Sequence, residues 1–181
     1  MNTIGMVSRI EKGKGQDIFI DSIFILKKKY KDINGLIMGE GDDWELKQKI
    51  KKLNLEKNIK LLGFVTDNKL EKILTKFEVF VFPTYWPLEG FGLVLLEAME
   101  KGIPIVTTNF GPIPEVVGDA AILVAPNNAN ALAEGIDKIL RNKKLANSLV
   151  LKGLSRVKQF NIKKIANIYF NNFLETVKSN S

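Results

Sequence analysis

Two carboxylates, Glu89 and Glu97, stand eight positions apart in the stretch Glu89-Gly90-Phe91-Gly92-Leu93-Val94-Leu95-Leu96-Glu97, just downstream of an apolar run, Val79–Phe82, that Pro83 closes. The run reads as a buried parallel strand, and residues 92–101 read as the helix that follows it. In an open α/β sheet such a junction lies at the carboxyl end of a strand, where ligands bind. The amides of Gly92, Leu93 and Val94 would lack intrahelical partners and would face an anion such as a diphosphate. Side chains lean back toward a helix start, so Glu97, about one turn in, can reach a group beside that anion. A ribose diol suits a carboxylate there, because both hydroxyls can donate to it. Glu89, on the loop, would face whatever hangs from the far phosphate. Spacing alone equally fits an ordinary strand, loop and amphipathic helix carrying two solvated glutamates.

A second phosphate signal lies at the front of the chain. A short apolar strand spans residues 4–7, and Gly13 and Gly15 flank Lys14 on the loop leading into a helical pattern over 16–30. Arg9 offers a planar fork to phosphate oxygens and Lys14 a compact charge, while the glycines let backbone come close. This loop is neither a Walker sequence nor a G-x-G-x-x-G fingerprint. Two exposed basic residues in a chain with 27 cationic side chains are its bland explanation. A third loop, Gly39-Glu40-Gly41-Asp42-Asp43, follows a strand over 34–39. Asp42 or Asp43 there is most simply the cap of the next helix, which runs through Leu53.

The elements that must position these loops alternate regularly. Strands are predicted near 4–8, 34–39, 59–63, 79–83, 103–108 and 121–124, separated mostly by helical patterns. That alternation predicts a Rossmann-like, doubly wound α/β fold with a mostly parallel six-stranded sheet and helices on both faces. Three helical patterns follow the last strand, at 129–141, 143–158 and 161–177. The last carries a broad apolar stripe through Ile162, Ile165, Tyr169 and Phe173, which reads as packing on its own domain.

With 181 residues, 45% of them hydrophobic, the chain is expected to form one domain around one substantial core. Cysteine and histidine are both absent, so disulfides and serine–histidine or cysteine–histidine chemistry are excluded. No Asp-x-Asp pair is present, and nothing in the sequence calls for a metal. No signal peptide or membrane-length apolar run appears. The net charge of +7 raises nucleic acid as a partner. The lysines alternate with helix-face apolar residues, however, and no strand carries an interleaved aromatic platform, so solvated helix faces account for them and no nucleic acid is expected.

Taken in order along the chain, these pieces resemble the carboxyl-terminal, donor-binding domain of a GT-B retaining glycosyltransferase of glycosyltransferase family 4. The resemblance runs through Ser8-Arg9, Lys14-Gly15, Met38 to Asp42, Leu62-Gly63-Phe64-Val65, the Val79 to Pro83 strand and the Glu89 to Met99 block. It continues through Gly102 to Val106, Pro114-Glu115-Val116-Val117, Ile122-Leu123-Val124 and Ala131-Leu132-Ala133. It implies that Arg9 and Lys14 hold the donor diphosphate, with Gly92 and Leu93 supplying amides to the distal phosphate. Glu97 would hold the ribose, and Glu89 would be the catalytic carboxylate beside the donor sugar. Gly39, Gly41, Phe64 and Val65 would wall the base. At Gly111 the family often has a second glycine where this chain has Pro112, which removes an amide donor. The loop over 84–88, with Trp86 and Pro87, is individual to this chain and is expected to shape the sugar pocket.

The resemblance implies a nucleoside diphosphate sugar as substrate, no cofactor and no metal. It implies transfer of a hexose to a glycan or lipid hydroxyl in polysaccharide biosynthesis, in the cytoplasm, with attraction to an anionic membrane surface. A GT-B enzyme works between two Rossmann-like halves, and the amino-terminal, acceptor-binding half is expected to lie outside this chain. The isolated chain should therefore bind donor and turn it over poorly or not at all. A non-catalytic nucleotide-sugar-binding subunit and a fragment of a GT-B-like sugar-nucleotide epimerase are the alternatives.

Overall fold

The computed structural model describes residues 2–160, and the predicted helix at 161–177 lies outside the described residues. Six strands form one sheet: β1 (Asn2–Val7), β2 (Ile33–Met38), β3 (Ile59–Leu61), β4 (Val79–Phe82), β5 (Ile105–Thr108) and β6 (Ala121–Val124). Their order is β3-β2-β1-β4-β5-β6, and every pairing is parallel. The fold class expected from the alternating pattern is the one observed. Helices α1 (Gln16–Lys27), α2 (Trp44–Lys52), α3 (Asp67–Leu74), α4 (Leu93–Glu100), α5 (Ile113–Val117), α6 (Ala129–Arg141) and α7 (Lys143–Val157) connect the strands and complete the domain, and a 3-10 turn, Lys158–Phe160, follows.

The sheet is buried on both faces, which explains why its central strands are nearly continuous apolar runs. One core gathers Ile4, Met6, Val79 and Val81 against Phe19, Ile23, Leu132 and Ile136. The other gathers Phe80, Phe82 and Ile105 against Leu95, Ala98, Met99 and Val116. Gly5 lets the Phe77 ring lie on the sheet, since a Cβ there would fall 1.9 Å from that ring.

Strand and helix ends move by a few residues from the sequence expectations, for chemical reasons. β5 starts at Ile105 rather than 103 because Pro104 has no N–H to give, although its carbonyl still accepts from Phe80 at 3.0 Å. β3 stops at Leu61 because Gly63 turns left-handed, at φ 62°. α1 ends at Lys27, short of 30, but Tyr30 still donates to the Leu26 carbonyl. At α2, Asp43 holds the cap position but pairs instead with Lys47 at 2.8 Å, and Asp42 accepts from the Trp44 amide at 3.0 Å. Asn128 and Asn142 cap α6 and α7 with their side chains, which fixes both starts where the sequence places them.

Connections from β1 run one way across the sheet to β2 and β3, then return to β4 on its other side. Between β1 and β4 the strand order reverses, opening a crevice at their carboxyl ends. The loop 8–15 after β1 and the loop 83–92 after β4 meet there.

Candidate functional site

Close backbone contact joins the two loops. Gly13 and Gly15 sit at φ 95° and 84°, and a Cβ on Gly15 would stand 2.2 Å from the Pro83 carbonyl oxygen, so only glycine fits. The Tyr85 amide donates to the Gly13 carbonyl at 2.7 Å. This docking carries Lys14, whose Nζ donates to Glu89 Oε2 at 3.0 Å. The two side chains are only 11% and 8% exposed. Thr84, fully buried, donates its hydroxyl to the same carboxylate oxygen at 2.7 Å and accepts from the Trp86 amide at 3.3 Å. Thr108, at the end of β5, in turn donates to the Thr84 carbonyl. Lys14 also lies 5.8 Å from the centroid of the Trp86 ring, on its face.

An ion pair this dry gains little net stability over an apolar pair of the same shape, because both charges lose hydration. Its place at the switch point makes it a candidate for chemistry rather than for folding. Lys14 has three donors and Glu89 two acceptor oxygens, so each keeps capacity toward the crevice after meeting the other.

A cleft of about 290 Å³ at the carboxyl ends of β1 and β2 is lined by Ser8, Arg9, Met38, Gly39, Phe64 and Val65, among others. Gly39 is conformationally required: its φ is 141°, and a Cβ would come 1.8 Å from the Ser8 carbonyl oxygen. Its amide donates to Gly63, which ties the loops after β2 and β3. Gly41, at φ 140°, makes a bridge with Ile10 and lies outside this cleft. Arg9 is 74% exposed and pairs with Glu11 at 3.0 Å. Buried Gln16, which has no motif to advertise it, donates to the Arg9 carbonyl at 2.7 Å and to the Ser8 hydroxyl at 3.0 Å, and so shapes the Arg9 loop.

The third group stands on α4. Gly92 precedes the helix at φ 66°, its carbonyl accepting from Leu95 at 2.8 Å. Leu93 is exposed, and Glu97, one turn on, is exposed on the same face. The structure therefore joins Lys14 directly to Glu89 and gathers Arg9, Gly39, Phe64 and Val65 round one cleft. Gly92 starts the helix that carries Leu93 and Glu97. Sequence reading missed Thr84 and Gln16; their one signal is position, directly after the closing Pro83 and the Gly13-Lys14-Gly15 turn. A larger cleft of about 710 Å³ lies at the opposite end of the sheet, among Lys27, Lys31, Lys57, Asp32 and Glu56, and shares none of these residues. Among the described residues, no three side chains of metal-ligating type cluster, and no helix is long and apolar enough to cross a membrane.

A six-stranded parallel sheet in this order, with glycine loops and a buried ion pair at its switch point, defines a Rossmann-like fold, in which such a crevice is the usual place for a ligand. Residues 1–155 match the family described as Glycosyl transferases group 1, and the chain belongs to that family. The carboxyl-terminal domain of a glycosyl transferase group 1 family protein (LpcC) from Francisella tularensis superposes with a TM-score of 0.77 at 30% identity, over 87% of this chain and 85% of that one. Anabaena Alr3699/HepE, solved in complex with UDP and glucose, superposes with a TM-score of 0.84 at 26% identity, over 96% of this chain and 48% of that one. The fold is thus that of GT-B carboxyl-terminal domains. Escherichia coli O-antigen chain mannosyltransferase B is 36% identical over 128 residues, 69% of this chain and 33% of that protein. The N-acetylgalactosamine-N,N'-diacetylbacillosaminyl-diphospho-undecaprenol 4-alpha-N-acetylgalactosaminyltransferase of Campylobacter jejuni is 36% identical over 165 residues, 88% of this chain and 43% of that protein. The chain spans 33–43% of the length of these curated relatives.

Proposed function

We propose that this chain binds a nucleoside diphosphate sugar at the β1–β4 crevice and forms the donor-binding half of a retaining hexosyltransferase, whose acceptor is a glycan or lipid hydroxyl. The observation that carries this reading is the Lys14–Glu89 pair, 3.0 Å apart and nearly dry at the switch point. Breaking the sugar's anomeric C–O bond puts negative charge on the departing diphosphate. Lys14, Arg9 and the helix-start amides of Gly92 and Leu93 are the groups to receive it. Glu89 faces the sugar and is the catalytic carboxylate. Glu97 takes the ribose hydroxyls, and the base lies against Gly39, Phe64 and Val65, with Gly41 bracing that turn from behind.

The UDP and glucose held by the Anabaena neighbour support this donor class. The lipid diphosphate in the Campylobacter relative's name supports a lipid-linked acceptor, and with it a peripheral place at the cytoplasmic membrane face. In this reading the acceptor is bound by a separate amino-terminal domain, and neither a metal nor a cofactor takes part. Calorimetric titration with UDP, GDP and ADP tests it. One of them should bind in the micromolar to millimolar range. Silence from all three would overturn the donor-site reading, and efficient glycosyl transfer by this chain alone would overturn its assignment as half an enzyme.

A further inference from the structure

The loop that carries Glu89 is held at two ends by different means. At its front, the carboxylate is gripped by Lys14 and Thr84, and the Glu89 amide donates to Trp86 at 3.0 Å. Gly90 then stands in open space, where an added Cβ would meet nothing within 4 Å. Residues 89–92 belong to no helix or strand. Phe91 is the next anchor, and its ring stands edge-on to Phe160, with centroids 5.2 Å apart and planes at 78°. Such T-shaped pairs are directional, because a ring's positive edge meets its neighbour's negative face.

Phe160 is itself held from behind. The Arg156 guanidinium lies 4.9 Å from its centroid. Arg156 is fixed in turn, donating to the Val116 carbonyl at 3.1 Å and to the Glu115 carbonyl, at the end of α5. Helix α7, which supplies Arg156, packs on α4, with Gly153 close against Met99. The packed helices α4, α5 and α7 thus meet the Glu89 loop at Gly92, which lies close to Ile113 and Leu95, and further out through the Phe91–Phe160 ring contact.

We propose that Phe160, braced by Arg156, is a positioning residue for the Glu89 loop. By seating Phe91 it sets the approach of Gly92 and Leu93 to the distal phosphate and of Glu89 to the sugar. This inference rests on the donor-site reading above for what the loop binds, but its claim about the loop stands apart from any ligand. Phe160→Ala removes the edge-to-face pair, and the loss of one such contact corresponds to roughly a three- to tenfold change in an equilibrium.

The test has two arms on the full chain, with unchanged thermal melting as the control for folding. In NMR relaxation without ligand, Phe160→Ala should lower the backbone order parameters of residues 90–93 selectively, while Phe160→Tyr, which keeps the ring, should leave them as in the wild type. In calorimetry, with whichever of UDP, GDP or ADP the wild type binds, Phe160→Ala should weaken the diphosphate roughly three- to tenfold and leave the matching nucleoside unchanged. Unaltered order parameters at 90–93 would overturn the inference whatever binds. Equal losses for nucleoside and diphosphate, or none for either, would also overturn it. A wild-type chain that binds none of the three would instead sink the donor-site reading, and the ligand half of this inference with it.

Discussion

Removing the charge from one member of the Lys14–Glu89 pair or the other should have different consequences for nucleotide binding, although both changes strain the fold. Lys14→Met leaves the Glu89 carboxylate with Thr84 as its one remaining partner among the described residues. Breaking a fully buried pair costs about 3–5 kcal/mol. The residual exposure of 11% and 8% places this one near the lower end, at about 3 kcal/mol. Glu89→Gln keeps an acceptor for Lys14 but removes the compensating charge, a loss of about 1–3 kcal/mol. The double variant leaves no buried charge, so it should recover most of that loss and fall within about 1 kcal/mol of the wild type, as neutral replacements of buried pairs do. Urea denaturation measures all three. Binding separates the roles. Lys14→Met should weaken a nucleoside diphosphate by about 1.5–3 kcal/mol, roughly ten- to a hundredfold, the worth of a charge-assisted hydrogen bond. Glu89→Gln should bind the bare diphosphate no worse, since it removes a negative charge from the anion's surroundings, and should weaken only the sugar-bearing donor. Equal losses of diphosphate affinity from both single variants would refute the reasoning, and the pair would then be a strut for the loops and nothing more.

Three further outcomes are expected. Glu97→Ala should cost about 1.5–3 kcal/mol for the nucleoside diphosphate and for its sugar alike, because ribose is common to both, and unchanged titration with the fold intact would remove Glu97 from the site. Arg9→Ala should weaken a nucleoside diphosphate but hardly a nucleoside, whereas neutralising Lys27, Lys28 and Lys29 together should matter only through a screened term that fades with added salt. Asp137 is held below the usual carboxylate range: burial works against the charge, but hydrogen bonds from Lys29 and Tyr30, both at 2.6 Å, outweigh it. A depressed carboxylate contributes stability that is present above its unfolded value and is lost as pH falls through the lower folded value. Asp137→Asn should therefore flatten the acid-side loss of melting temperature below about pH 4, and an unaltered acid limb would count against this linkage.

The difference between what the sequence shows and what it hides follows from how far each signal reaches. Val79–Phe82 is apolar at every position because the strand is covered on both sides, and composition alone records that. Asn128 and Asn142 write the starts of α6 and α7 into single residues, since a cap acts within three positions. The Lys14–Glu89 bond spans 75 residues and exists only because β1 and β4 are neighbours, whereas β2 and β3 run to the far side of β1. Alternating strands and helices imply a parallel sheet, but they do not fix which strands touch. Without that order Lys14 reads as one cation among many and Glu89 as a solvated glutamate, each looking toward a different part of a ligand. The structure turns them toward each other, so whatever enters the crevice must displace or share a charge already satisfied. Under the proposed donor-site reading, a phosphate that drew Lys14 toward itself would also loosen the hold on the Glu89 carboxylate. Thr84 and Gln16, small polar residues with no motif of their own, become visible only once their partners are in place, because burial and not residue type is what marks them.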